Sequence, residues 1–285
     1  MGERRLTTYD SRIFDLDARL SVPFVLVWCF ATMDTVRCIG FSFQTSLPRG
    51  DFMTLDQKMP RAFIFDCDGT ILQSMGMWLR IQPALLKTYG VDTVADDFAE
   101  FESLSVMGEC EGYHRKWGVG KDAQEVYDRL LGMLARGYSE EVSVREGVAD
   151  FLKSAYDAGI PMAIATSTPA ESVQIGLDAL GIGRYFDVIV TTADAGASKD
   201  HPDVYNLALE KLGEIHGMKD VDHTDVWVFE DMPFGLISSA SAGYRRVGIF
   251  DPEGRAPRPD VQANCDIFID SFTELTLDRI LAYVD

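Results

Sequence analysis

From Arg61 onward, short apolar runs alternate with segments of helical period. The runs are AFIFD (62–66), PMAIATSTP (161–169), FDVIVTT (186–192), DVWVFED (225–231) and RRVGIF (245–250), and a last one opens CDIFIDSFTEL (265–275). Their apolar residues are continuous rather than alternating, which marks strands buried on both faces. The stretches 144–160, 171–182, 202–213 and 233–244 between them carry apolar residues at helical spacing. Strand, helix, strand, helix predicts an α/β fold, a doubly wound parallel sheet covered by helices on both faces. The rhythm breaks once. From Gln73 to Arg145 the sequence offers only helical signals, including MWLRIQPALLKTYG (77–90), where Pro83 either kinks the helix or marks its start. The boundaries predicted are a core of 59–72 and 146–285 and a helical insertion, a second small domain, at 73–145.

The strands end in polar groups of a consistent kind. Asp66 and Asp68 close the first, Thr166, Ser167 and Thr168 the second, and Glu230 and Asp231 the fourth, while Lys199 follows the third after a loop. Open parallel sheets bind ligands beyond the carboxyl ends of their strands, so parallel neighbours would bring these groups to one crevice. Clustered carboxylates repel one another unless a cation sits among them, and all-oxygen donors suit Mg²⁺. Hydroxyls and backbone N–H groups at 166–168 can hold phosphate oxygens. One lysine can offset developing charge, one carboxylate can attack phosphorus, and an acid two residues later can carry the proton.

Charge narrows the partners. The chain carries 26 Lys and Arg against 45 Asp and Glu, a formal net charge of -19. Such a chain is a poor candidate for nucleic acid, whose binding depends on neutralising phosphates with cations. The five cysteines are odd in number and scattered, so they predict no disulfide framework, and a reducing, cytoplasmic setting follows. The four histidines form no metal-binding pattern. In residues 1–58 seven basic side chains are matched by seven acidic ones, so the whole imbalance falls after Lys58. The apolar run Val22–Met33 is shorter than the roughly 20 residues that span a bilayer, and no membrane association is expected. Residues 1–58 are read as an extension outside the functional domain.

Four pieces, FDCDGT, ATSTP, SKDHPD and VFEDMPFG, stand in order along the chain. Together they resemble the haloacid dehalogenase superfamily, over about 59–285. The insertion resembles the helical cap of its β-phosphoglucomutase-like phosphatases. The resemblance implies a Rossmann-like core with an inserted α-helical cap, Mg²⁺ as cofactor and a small phosphorylated metabolite, such as a sugar phosphate, as substrate. It implies Asp66 as nucleophile and metal ligand, and Asp68 as general acid and base whose backbone carbonyl binds the metal. Thr166 and the Ser167 backbone would bind the phosphoryl group, with Lys199 bridging that group and the nucleophile. Asp231 would ligate the metal, and Glu230 would support it or ligate through water. One departure is Asp200, where the family usually has proline after the lysine.

The alternative on the same scaffold is a phosphomutase. Mutases of this type tend to carry an apolar residue at the place of Thr70 and a cap-side histidine at the place of Trp78, so the residues here favour hydrolysis. A dehalogenase would lack Asp68, and no cap lysine is marked out for a phosphonate hydrolase. A non-catalytic phospho-acceptor module would lack both the spacing of Asp66 and Asp68 and the insertion. Within the cap, Met75, Met77, Trp78 and Met107 are expected in the core. Met107–Tyr113, with Gly108 and Gly112 expected to break the helix, is the segment expected to face substrate.

Overall fold

A computed structural model describes residues 59–283. The N-terminal extension, with Val22–Met33, Cys29 and Cys38, lies outside them. In chain order the elements are β1 (Ala62–Phe65), β2 (Leu72–Gln73), α1 (Met75–Lys87), α2 (Val106–Trp117), α3 (Ala123–Glu140), β3 (Ser143–Val144), α4 (Val148–Asp157), β4 (Met162–Thr166), α5 (Ala170–Leu180), β5 (Val188–Thr191), α6 (Thr192–Ala195), α7 (Asp203–His216), β6 (Val226–Glu230), α8 (Pro233–Ser241), β7 (Arg245–Ile249), α9 (Arg258–Ala263), β8 (Ile267–Ile269) and α10 (Leu277–Leu281). Six strands form one sheet in the order β5-β4-β1-β6-β7-β8, every neighbouring pair parallel. The doubly wound α/β sheet expected from the strand–helix rhythm is therefore present.

The sheet's middle explains the unbroken apolar runs. Phe63 and Phe65 of β1 pack with Phe229, Phe151 and Phe272 in one core. Ala62 and Ile64, pointing the other way, join Val204, Ala208 and Leu212 of α7 in a second. Each face is a hydrophobic layer, so neither needs polar residues. Register then decides where the chemistry lies. Phe65 pairs with both Ile164 and Phe229, Thr166 with Thr191, and Glu230 with Gly248. Strands β1, β4 and β6 are adjacent and end together, so the residues that follow them share one edge of the sheet.

The insertion is helical and differs from expectation in detail. Helix α1 starts at Met75, two residues before the expected start, and keeps Pro83 inside it. A 3₁₀ segment, Ala95–Phe101, replaces part of an expected α-helix. Gly108 and Gly112 lie within α2 and do not break it. The physical reason at Gly112 is space, since a Cβ there would come within 2.4 Å of the Phe101 ring. The segment begins and ends at a two-stranded antiparallel ribbon, with Leu72 opposite Val144 and Gln73 opposite Ser143. Among the described residues no helix is long and apolar enough to cross a membrane. Cys67, Cys110 and Cys265 are free thiols.

Candidate active site

The turn after β1 is built for close approach. Gly69 has φ of 81°, a region that side chains rarely adopt, and a Cβ there would sit 2.4 Å from Asp231 Oδ2. Glycine thus lets the β1 and β6 turns touch. Thr70 Oγ1 donates to Asp231 Oδ1 at 3.1 Å, which joins the turns on the polar side. Arg145, just beyond β3, donates to the backbone carbonyls of Gly69 and Phe250 and fixes the turn from the insertion's return.

Asp66 is 6% exposed, and its backbone N–H donates to the Phe229 carbonyl at 2.9 Å. One carboxylate oxygen accepts from Lys199 Nζ, and the other, Oδ2, is buried without a hydrogen-bond partner. Lys199 also donates to Glu230 Oε1, which accepts from Tyr205 OH at 2.7 Å as well. Burial disfavours the charged form and pushes the Asp66 carboxyl up to about 7, although the Lys199 ammonium pulls it back. Asp231 is raised for the same reason, with Asp66 and Glu230 adding repulsion. Burial alone would lower Lys199, but the Asp66 and Glu230 carboxylates outweigh it and hold the ammonium above its ordinary range. Oxygens of Asp66, Glu230 and Asp231 lie within 4.8 Å of one another, a buried all-oxygen donor set.

Asp68 is held differently. Its Oδ1 accepts from Ser74 Oγ at 2.6 Å and from Tyr138 OH, and its Oδ2 accepts from Thr168 Oγ1 at 2.8 Å. Tyr138 in turn accepts from the Trp78 indole N–H at 3.2 Å. At the end of β4, Thr166 Oγ1 accepts from the Thr168 N–H at 3.0 Å, while the Ser167 hydroxyl has no partner. The acid at Asp200 does not compete for Lys199, because its carboxylate is turned outward to Ser103 and Ser198.

All eight residues singled out from the strand ends, Asp66, Asp68, Thr166, Ser167, Thr168, Lys199, Glu230 and Asp231, line one cavity of about 90 Å³. That volume admits several waters or one compact molecule. The insertion closes the other side with Met75, Trp78, Gln82, Glu102, Val106 and Glu109, and Arg255 reaches in from the loop after β7. Trp78 lies in the core as expected, Met75 is half-buried and packs against it, and both also border the cavity. Of the segment 107–113, Glu109 is the residue that reaches it. Tyr138, Arg145, Tyr205 and Arg255 sit in no motif and carry no distinctive spacing, so the sequence alone does not mark them.

Comparison with known proteins gives the family and supports the fold. The model of the haloacid dehalogenase-like hydrolase family matches residues 63–249. The chain belongs to that family. Hexitol phosphatase B of Escherichia coli is 27% identical over 222 residues, 77% of this chain and 96% of that one. Protein CbbY of Cereibacter sphaeroides is 30% identical over 230 residues, 76% of this chain and 94% of its own. A crystal structure of CbbY from Rhodobacter sphaeroides in complex with phosphate superposes with a TM-score of 0.65 at 25% identity, over 76% of this chain and 96% of that one. A mutant of the same protein has been solved with xylulose-(1,5)bisphosphate. A structure titled putative β-phosphoglucomutase from Thermotoga maritima shares the fold, with a TM-score of 0.58 at 23% identity over 79% of this chain and all of that one.

Proposed function

We propose that the protein is a Mg²⁺-dependent phosphoric monoester hydrolase that takes a small phosphorylated metabolite through a phospho-Asp66 intermediate. The observation that carries this is the division of labour in the cavity. Asp66 has one oxygen held by Lys199 and one buried oxygen without a partner, and Asp68 stands two residues away, held by three hydroxyls. The family match and the relatives named for phosphatase activity support the same reading.

In the first step a carboxylate oxygen of Asp66 attacks phosphorus and the P–O bond to the leaving group breaks. Asp68 gives its proton to the departing oxygen. In the second step a water attacks the aspartyl phosphate and Asp68 takes its proton. The bond between phosphorus and Asp66 breaks, and inorganic phosphate leaves. Thr166, Ser167 and the Lys199 ammonium hold the phosphoryl oxygens throughout. The donor set fits a hard cation, since Asp66 has a buried oxygen without a partner, one oxygen each of Asp66, Glu230 and Asp231 lies within 4.8 Å of the others, and every donor is oxygen. Asp66, Asp231 and the Asp68 carbonyl would hold Mg²⁺, with Glu230 holding Lys199 in place; the ion would offset negative charge on the phosphoryl group. Residues 73–145 act as the cap, 59–72 and 146–285 as the catalytic core, and 1–58 as an extension outside both. Trp78 supports hydrolysis over mutation: its N–H is committed to Tyr138, and an indole offers no proton carrier for returning a phosphoryl group to a sugar.

Hydrolysis of p-nitrophenyl phosphate tests the reading. Turnover should require Mg²⁺ and stop with EDTA, and Asp66→Asn should lower kcat by more than about 1,000-fold. Asp68→Asn should release one equivalent of p-nitrophenolate and then stall, because that leaving group needs no proton but the second step needs a base. Full activity in Asp66→Asn would refute the mechanism.

A further inference from the structure

The insertion's side of the cavity has a charge pattern of its own. Among the residues lining the cavity, Lys199 and Arg255 are the only cations. Lys199 belongs to the phosphoryl end. Arg255 is already paired: it donates to the Glu102 carboxylate, to Gln82 Oε1 at 3.2 Å and to the Ala95 carbonyl at 2.7 Å. The pair is largely buried, with 13% and 17% of the two side chains exposed. Glu109 adds a second carboxylate, which accepts from Gln82 Nε2 at 3.1 Å and from Tyr113 OH. No positive charge is left over on this side.

We infer that Gln82, Glu102, Glu109 and Arg255 form a polyol subsite, which takes an uncharged, hydroxyl-rich tail and rejects a second phosphate. The inference rests on the phosphatase reading above and narrows its substrate class. Two considerations support it. A phosphate dianion needs unspent N–H donors and net positive charge. Here it would meet a guanidinium already neutralised by Glu102 and, above about pH 7 where Glu109 ionises, a second carboxylate, an arrangement that discriminates by repulsion. A hydroxyl both donates and accepts. Carboxylate and amide oxygens can accept from it, and the Arg255 Nε–H, which has no partner, can donate to it. The groups are set in advance, because Gln82 and Glu109 lock each other across α1 and α2. Trp78 and Val106 add apolar wall for the carbon skeleton. A CbbY mutant has been solved with a bisphosphate, so this is a point on which relatives can differ.

The test is a ratio of kcat/KM values on the full-length protein with Mg²⁺ at about pH 8, where Glu109 is ionised. Fructose 6-phosphate and fructose 1,6-bisphosphate differ by one phosphate, and n-hexyl phosphate removes the hydroxyls. The monophosphate should exceed the bisphosphate, and also hexyl phosphate, by about 10-fold or more. Glu102→Gln unmasks Arg255 and should move the bisphosphate-to-monophosphate ratio toward the bisphosphate by about fivefold or more. Glu109→Gln removes the other carboxylate and should shift the ratio in the same direction, which covers a failure of Glu102→Gln to fold. The wild-type comparison needs no variant. A wild-type enzyme that hydrolyses the bisphosphate or hexyl phosphate as well as the monophosphate overturns the subsite, and so does an unchanged ratio in a folded variant. Failure to hydrolyse any ester, p-nitrophenyl phosphate included, overturns the phosphatase reading itself.

Discussion

Three hydroxyls from three parts of the chain converge on Asp68: Ser74 before α1, Tyr138 near the end of α3 and Thr168 after β4. A carboxyl that must give a proton and later take one gains from being aimed. Tyr138→Phe keeps the ring, removes one donor to Asp68 and leaves the Trp78 N–H without its acceptor. Its kcat on an alkyl phosphate ester should fall by about 10-fold, the scale of one hydrogen bond to a charged group. Its first-turnover burst with p-nitrophenyl phosphate should be nearly unchanged, because that leaving group departs unprotonated. Comparing the two substrates separates aiming from general damage. The strand-end polar groups are visible in the sequence because each sits beside an apolar run. Tyr138 and Tyr205 are not, because a lone aromatic in a helix looks like core until folding brings it against a carboxylate far along the chain. Arg145 and Arg255 are hidden for the same reason, since their partners come from remote segments.

At the level of elements, the strands are legible in the sequence and the insertion is legible only as helical. Strands β1, β4 and β6 are buried on both faces, and short unbroken apolar runs between turn residues are what such strands require. Helix boundaries in the insertion depend on tertiary contacts that no local pattern carries. Gly112 illustrates this. Read locally it is a helix breaker; in the fold it is the place where the Phe101 ring meets the backbone of α2. Gly112→Ala should therefore destabilise the protein by about 1–3 kcal/mol through overpacking, despite alanine's better helix propensity. Gly132, inside α3, has nothing within 4 Å of its missing Cβ. Gly132→Ala should stabilise by roughly 0.5–1 kcal/mol. Opposite shifts in denaturant midpoint for the two variants would verify the distinction.

For the molecule as a whole, pH is the informative variable. Burial raises the Glu109 carboxyl to about 7, while the hydrogen bonds from Tyr113 and Gln82 pull against that rise. The folded state then binds more protons than the unfolded state from about pH 4.5 to pH 7, so Glu109 withdraws stability as pH rises through that window. Glu109→Gln keeps an acceptor for Tyr113 and Gln82 but cannot ionise. Relative to wild type it should lose less stability between pH 5 and pH 8, by on the order of 2 kcal/mol. Chemical denaturation at the two pH values measures the difference, and the acidic surface, nearly the same in both proteins, cancels from the comparison. The parallel sheet and the existence of an insertion follow from the order of strands and helices. How the insertion meets the core does not, because its contacts, such as Ser103 with Lys199 and Asp200, are single pairings between remote loops. The ribbon of Leu72–Gln73 with Ser143–Val144 has a consequence of its own. Seen from the sheet, some seventy residues are one side loop whose two ends are already clasped. Loop-closure entropy rises only with the logarithm of loop length, so such a loop can be lengthened, shortened or exchanged at little cost to what lies below the clasp. Recognition and bond-breaking are thereby carried on separately replaceable stretches of gene, and a lineage can change its diet without relearning its chemistry.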